Sequence, residues 1–275
     1  MKLAFIDVGE LGWSIYITAH LRWLKQNNPP DSIVVITYPD RKCLYEGLAD
    51  TLDVPEEFYE KFDTQAQECF GINQVSSTTL LDFFLSVLPK DYHIPEYFVL
   101  HCGLNFGNQL ICEPYSYSKK MNGENEILIF PRCRTGRFAP RNLPGIFYIK
   151  LIERLCDEFP QLTIRTVGTT NGAYAIDVGK KNYVNSVGNG TIQDFVDLCQ
   201  TAVATVGSQS APPKIALLQG VPTFMIGDQR ERHVDWENWM STRAEFYDVP
   251  RMDYGSIDSE DCIDKIIEFV KERNK

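Results

Sequence analysis

Histidine is scarce in this chain, with four in 275 residues and no two at helical spacing. Cysteine is more frequent but scattered, at 43, 69, 102, 112, 133, 156, 199 and 262, with no Cys-x-x-Cys pair. A transition-metal site therefore lacks its usual ligand spacing. Cys156, Cys199 and Cys262 lie within helical apolar patterns and read as reduced core residues, as expected in a cytoplasmic protein. No apolar run approaches the ~20 residues of a membrane-spanning helix. No signal-peptide apolar region is present either, since Lys2 leads directly into a strand. Positive charge is in the minority, 27 Lys and Arg against 37 Asp and Glu, a net of −10. Such a field disfavours a nucleic-acid backbone as the main partner. The dinucleotide fingerprint Gly-x-Gly-x-x-Gly is also missing after the first strand, because Gly9-Glu10-Leu11-Gly12 has the wrong spacing. A nicotinamide-dependent oxidoreductase is accordingly disfavoured.

What is present suits a folded α/β protein. The composition is 44% hydrophobic, 12% aromatic and 23% charged, ample for one or two cores. KLAFIDV (2–8) is a buried-strand pattern, followed by a helical stripe at 13, 17, 21 and 24. SIVVITY (32–38) is a second strand, with a helical stretch expected from Pro39-Asp40 through Leu52. A helix is expected over 77–89 and a strand over 96–102. The polar, aperiodic stretch 113–125 reads as a linker. Strand–helix alternation then restarts. Strands are expected at 126–131, 163–169, 183–188, 202–207 and 223–227, and helices at 143–160, 191–200 and 212–219. Thr191-x-x-Asp194 is a capping pattern. Ser259 is a candidate cap for a terminal helix whose apolar positions are 263, 266, 267 and 270. The expected class is α/β, with two Rossmann-like domains facing across a cleft at the carboxyl ends of their strands. The boundaries read as 1–118 and 119–250, with a helix in 251–275 packing back toward the N-terminal domain.

Between the strand 202–207 and the helix opened by Pro212-Pro213 stand Ser208, Gln209, Ser210 and Ala211. Small residues at a helix's positive end let an anion approach backbone amides, making a phosphate or carboxylate seat. An ordinary strand-to-helix turn with a serine cap has the same sequence. The strand 126–131 runs into PRCRTGRFAPRN, a basic loop with Arg132, Arg134, Arg137 and Arg141 in an otherwise acidic chain. Guanidinium groups match phosphate oxygens with paired donors. A solvated charged face is the bland account of the same loop. Both segments follow strands of one sheet at the same edge, an arrangement suited to a diphosphate.

These features, with Val167-Gly168-Thr169-Thr170 and VGNGTIQDFVDLCQTAVATVGSQSAPPKIALLQGVPTFMIG, resemble the GT-B glycosyltransferases, most closely the heptosyltransferase-like family acting on lipopolysaccharide. That family carries a leucine-rich helix, a strand, Asp-Ser/Thr-Gly, two residues, His, an apolar helix, Pro, a strand and Gly. Here Gln209-Ser210-Ala211 falls on the triplet, Lys214 on the histidine, and Pro222 and Gly227 on the later Pro and Gly. The spacing is kept while three of the more telling residues differ. The likeness covers much of the C-terminal half and the start of the chain, and is nearly lost over 40–120.

The resemblance implies a glycosyltransferase moving a sugar from a nucleotide-sugar donor to an acceptor hydroxyl. Inversion without a metal or other cofactor is implied, and the lack of an Asp-x-Asp triplet agrees with that. In DVGELGWSIYITAHLRWL, Gly9 matches the family's glycine and Glu10 its acid, the general base for the acceptor hydroxyl, with Gly12 in the same acceptor loop. A first-turn acid stabilising the helix dipole is the structural account of Glu10. Arg132, Arg134, Arg137, Ser208, Gln209, Ser210, Ala211 and Lys214 would hold the donor diphosphate and stabilise its developing charge. Gly168, Thr169, Gly190 and Thr191 would line the nucleoside, and Tyr174 is a candidate for stacking on the base or for simple packing. A glycan or other hydroxyl acceptor is expected on 40–120, and peripheral membrane contact is compatible with this reading. Departures at Gln209, Ala211 and Lys214 keep a non-catalytic GT-B-like protein that binds a nucleotide sugar or a partner in view, as well as a GT-B-fold sugar epimerase.

Overall fold

The computed structural model describes residues 1–8, 11–54, 84–95, 125–228, 244–249 and 254–273, without the side chains of 13 and 136–138. The chain divides into two units, Met1–Tyr115 and Ser116–Lys275. Each has its own sheet, one of three strands and one of six among the described residues.

In the first unit, β1 (Lys2–Asp7), α1 (Leu11–Asn27), β2 (Ser32–Thr37) and β3 (Asp50–Asp53) form a parallel sheet in the order β1-β2-β3. Leu3 to Ile6 and Ile33 to Ile36 are buried without alternation, as expected for parallel strands covered on both faces. The register sets Asp7 opposite Thr37 at the carboxyl edge. The helix expected through Leu52 is instead a 3-10 segment, Pro39–Tyr45, followed by β3. Residues 50–53 gain ladder hydrogen bonds by pairing with Val34–Thr37, which local propensity could not reveal. A helical turn covers 84–87 and stops before Leu88 and Pro89, while 77–83 of the expected helix, the strand 96–102 and all but Asn125 of the linker lie outside the described residues.

The second unit contains β4 (Glu126–Phe130), a 3-10 segment (Gly136–Arg141), α2 (Gly145–Glu158), β5 (Thr163–Gly168), β6 (Tyr183–Val187) and α3 (Ile192–Leu198). After these come β7 (Ala202–Ser208), α4 (Ala211–Leu218), β8 (Thr223–Gly227), β9 (Ala244–Asp248) and α5 (Ser259–Arg273). All six strands are parallel, in the order β6-β5-β4-β7-β8-β9. This is the doubly wound arrangement, whose order reverses between β4 and β7. β9 had no signal in the sequence. It is a short edge strand, half-buried except at Asp248, paired with β8 and tied to α5 by the Tyr247 hydroxyl, which donates to Asp261 at 2.9 Å.

The buried residues of the terminal helix, Cys262, Ile263, Ile266, Ile267, Phe269 and Val270, join the core of the second unit, with Phe147, Leu151 and Leu155 of α2. Lys150–Glu260 (2.8 Å), Arg154–Asp264 (3.0 Å) and Lys271–Glu158 (2.8 Å) rim the α2–α5 contact. Exposed pairs of this kind contribute about 0–1 kcal/mol each, so apolar burial holds the helix. Asp258 rather than Ser259 caps it, accepting from the Asp261 amide at 3.2 Å. The Thr191–Asp194 capping box forms as read from the sequence.

Candidate functional site

The register aligns Phe130 of β4 with Gly207 of β7, and Ser208 with Ile226 of β8. Arg132, Ser208, Gln209 and Asp228 therefore leave the sheet at one carboxyl edge, on either side of the point where strand order reverses. Open α/β sheets bind ligands at such a point.

At α4, two of the first helical positions are Pro212 and Pro213, which carry no N–H. The Gln209 amide is already donated to the Ile226 carbonyl at 2.8 Å. That leaves the Ser210 and Ala211 amides as the donors at the helix start. Ser210 is the N-cap in extended conformation, and its hydroxyl donates to the Ser208 carbonyl at 2.9 Å rather than to the helix. Gly207 lets the helix come this close. A Cβ there would lie 2.8 Å from Pro213 Cγ and 3.0 Å from Phe130 Cβ. Lys214 is half-buried one turn into α4.

The basic loop is pinned to the exit of β5. Cys133 N–H donates to the Gly172 carbonyl at 2.8 Å and Tyr174 N–H to the Pro131 carbonyl at 2.7 Å, with a bridge between Arg132 and Ala173. Asn142 closes the loop, accepting from the Arg134 amide at 2.9 Å and donating to its carbonyl at 2.7 Å. Arg132 is only 8% exposed. Burial first, then the charges of Arg141 and Arg134, lower its guanidinium to about 10. Arg134 and Arg141 thus lie near enough to act on the Arg132 charge, and the three guanidinium groups form a local positive field. The side chain of Arg137 lies outside the described residues.

The nucleoside candidates are less uniform. Gly168 ends β5, and its space is filled by Ala173, whose Cβ would meet an added Cβ at 2.5 Å. The Thr169 carbonyl accepts from the Gly172 amide at 3.0 Å, so this loop is brought against the arginine loop. Thr191 is committed elsewhere. Its amide donates to Asp194 Oδ2 at 2.6 Å and its hydroxyl at 2.8 Å, so a ligand engages either group only by opening the cap. Gly190 lies directly before that cap. Tyr174 packs on the start of α2, its ring centroid 6.1 Å from that of Tyr148.

Several residues at this edge had no motif in the sequence. Asp228 follows β8, and its amide donates to Gln209 Oε1 at 3.3 Å. Tyr254 approaches Asp228 with its hydroxyl at 3.5 Å, and burial followed by the Asp228 charge pushes its phenol up to about 12. Tyr148 is fully buried beside Ser208 and Arg132. Only the tertiary fold brings these positions to the edge.

In the first unit, Gly9 and Glu10 lie outside the described residues, and α1 begins at Leu11. Gly12 falls in its first turn with open space around it. Directly before this stretch, Asp7 is buried and accepts from Ser14 Oγ (3.0 Å), Thr37 Oγ1 (2.9 Å), Tyr45 Oη (2.7 Å) and Arg41 Nη1 (3.4 Å). These donors fill the carboxylate's acceptor sites and tie the ends of β1 and β2, the 3-10 segment and α1 to one point. Burial, then the Asp7 charge, hold the Tyr45 phenol well above its ordinary value.

No protein-family model and no curated protein sequence matches this chain. Solved structures do. The E. coli ADP-heptose lipopolysaccharide heptosyltransferase II superposes with a TM-score of 0.65 at 14% identity, over 100% of both chains. A glycosyl transferase family 9 protein from Veillonella parvula superposes with a TM-score of 0.61 at 11% identity, over 98% of this chain and 97% of the other. The E. coli heptosyltransferase WaaC with ADP gives 0.58 at 10% identity, over 99% of each. The chain thus has the GT-B glycosyltransferase fold, in the form found in the heptosyltransferases.

Proposed function

We propose that this protein is a glycosyltransferase that takes a sugar from a nucleotide-sugar donor and transfers it to an acceptor hydroxyl. One observation carries the reading: the arginine loop after β4 and the Ser208–Ala211 turn after β7 flank the strand-order reversal of a Rossmann-like sheet. Structures of the same fold include one solved with ADP, which supports a nucleoside diphosphate as the ligand. Arg132, Arg134 and Arg137, with the Ser210 and Ala211 amides, hold the diphosphate. Gln209 and Lys214 flank the seat, and the nucleoside lies along Gly168, Thr169 and Gly190.

The chemistry follows from charge. As the bond from the anomeric carbon to the diphosphate oxygen breaks, negative charge grows on the leaving group. Guanidinium groups and amides already in place stabilise it without a metal. Glu10 takes the proton of the acceptor hydroxyl as that oxygen attacks the opposite face of the anomeric carbon, giving inversion. A thermal-shift screen with nucleoside diphosphates and nucleotide sugars, with and without EDTA, tests the reading. A ligand that binds only the folded chain raises its melting temperature. Stabilisation by a nucleoside diphosphate that survives EDTA, with donor turnover once an acceptor is supplied, is the expected result. Loss of stabilisation in EDTA refutes the metal-free site, and no response to any nucleotide refutes the donor assignment.

A further inference from the structure

Beneath the seat lie two hydroxyls that the diphosphate assignment does not explain. Tyr148 Oη and Ser208 Oγ are fully buried, and neither has a hydrogen-bond partner among the described residues. They lie close enough to each other and to the Arg132 backbone to influence the Tyr148 phenol, yet neither hydroxyl meets the distance and angle of a hydrogen bond. The Arg132 amide is already donated to the Phe130 carbonyl at 2.8 Å, and the Ser208 carbonyl is occupied by the Ser210 hydroxyl. Buried polar groups are nearly always paired, and an unpaired one forfeits its hydration without return. Two such hydroxyls side by side, at the edge where helix-start amides and a cluster of guanidinium groups converge, mark a site whose hydrogen bonds are completed by something else.

We propose that Tyr148 and Ser208 form a hydrogen-bond relay to the bound diphosphate: Tyr148 Oη donates to Ser208 Oγ, and Ser208 Oγ donates to a phosphoryl oxygen. Both hydroxyls then have partners, and the anion gains a donor from beneath the seat. Ser208 is the residue that touches the ligand, and Tyr148 is a positioning residue that acts through it. The direction of the relay follows from chemistry. Burial holds the Tyr148 phenol in its protonated form, so it donates beside an anion and does not add a second negative charge. Both hydroxyls are covered in the described conformation, so the relay reaches the ligand only when the edge above Ser208 opens on binding. This inference rests on the diphosphate reading above.

The test is calorimetric titration of ADP, UDP and inorganic pyrophosphate into the wild type, Tyr148→Phe, Ser208→Ala and the double variant, with melting temperatures of all four unliganded. Losing a donor to a charged acceptor weakens binding roughly tenfold, so Ser208→Ala should bind the probes about that much more weakly. Tyr148→Phe loses only the neutral link behind it, and should bind them more weakly than the wild type but by less. The double variant should bind about as weakly as Ser208→Ala alone, because Tyr148 acts on the ligand only through Ser208. Unliganded Tyr148→Phe should melt no lower than the wild type, since the hydroxyl it removes has no partner. Wild-type affinity in both single variants overturns the relay and leaves the diphosphate site standing. A lower melting temperature with unchanged affinity makes Tyr148 purely structural and likewise overturns it. If the wild type binds none of the three probes, the diphosphate reading falls and the relay with it.

Discussion

Gln209 Oε1 accepts a hydrogen bond from the Asp228 amide at 3.3 Å, tying the exit of β7 to the exit of β8 beside the anion seat. Gly227 makes room for this contact. A Cβ on Gly227 would meet Gln209 Oε1 at 2.6 Å, its Cβ at 2.9 Å and Phe246 Cζ at 3.1 Å. Gly227→Ala should therefore displace the Gln209 side chain and destabilise the fold by about 1–3 kcal/mol through overpacking. Chemical denaturation measures the loss. Wild-type stability would mean that the edge relaxes freely.

Replacing Arg134 and Arg137 together by alanine should weaken nucleoside diphosphate binding by about 1–3 kcal/mol for each charge-assisted hydrogen bond removed. Calorimetric titration in EDTA reads the effect. Unchanged affinity in the double variant would remove the arginine loop from the site.

Arg132 gives the site a pH signature. In the folded chain its proton is held less tightly than in an ordinary arginine, with a value lowered to about 10. Between those values the unfolded chain binds more protons, so this group's contribution to stability rises with pH there and is constant below. A bound anion favours the charged form and raises the value again. ADP affinity should thus be level once its diphosphate is fully ionised and fall as pH rises through about 10. Titrations on either side of that value decide it, and Arg132→Lys should shift the fall.

Asp7 organises the first unit as a shared acceptor. Asp7→Ala leaves Ser14, Thr37, Tyr45 and Arg41 without their buried carboxylate, and should cost about 3–5 kcal/mol in equilibrium unfolding. A loss below about 1 kcal/mol would mean that water replaces the carboxylate.

Glu10→Gln keeps size and hydrogen bonding but cannot accept a proton. As the base, it should lose roughly 10²–10⁴-fold in turnover with donor affinity unchanged. A helix-dipole role instead costs about 0.3–1 kcal/mol of stability with turnover intact. Turnover and melting temperature measured on the one variant separate the two roles.

Much of the second unit was legible in the sequence because its signals are local. Apolar and β-branched runs marked β4, β5, β7 and β8, the Thr191–Asp194 box marked the start of α3, and Pro212-Pro213 marked the start of α4. The arginine loop and the Ser208–Ala211 turn could be assigned to one edge because parallel strands send their carboxyl ends the same way. The sequence by itself therefore determined the α/β alternation, the charged loop and the anion-seat pattern. Pairing and burial decided the rest. Residues 50–53 and 244–248 are strands only because a neighbour offers a ladder. The terminal helix is amphipathic in any context, and only the core of the second unit settles what covers its apolar face. Asp7, Tyr148, Asp228 and Tyr254 carry no motif. Each acquires its role from groups far away in the chain, since an isolated residue's chemistry is set by its own atoms, and a buried one's by which donors, charges and waters the fold leaves beside it.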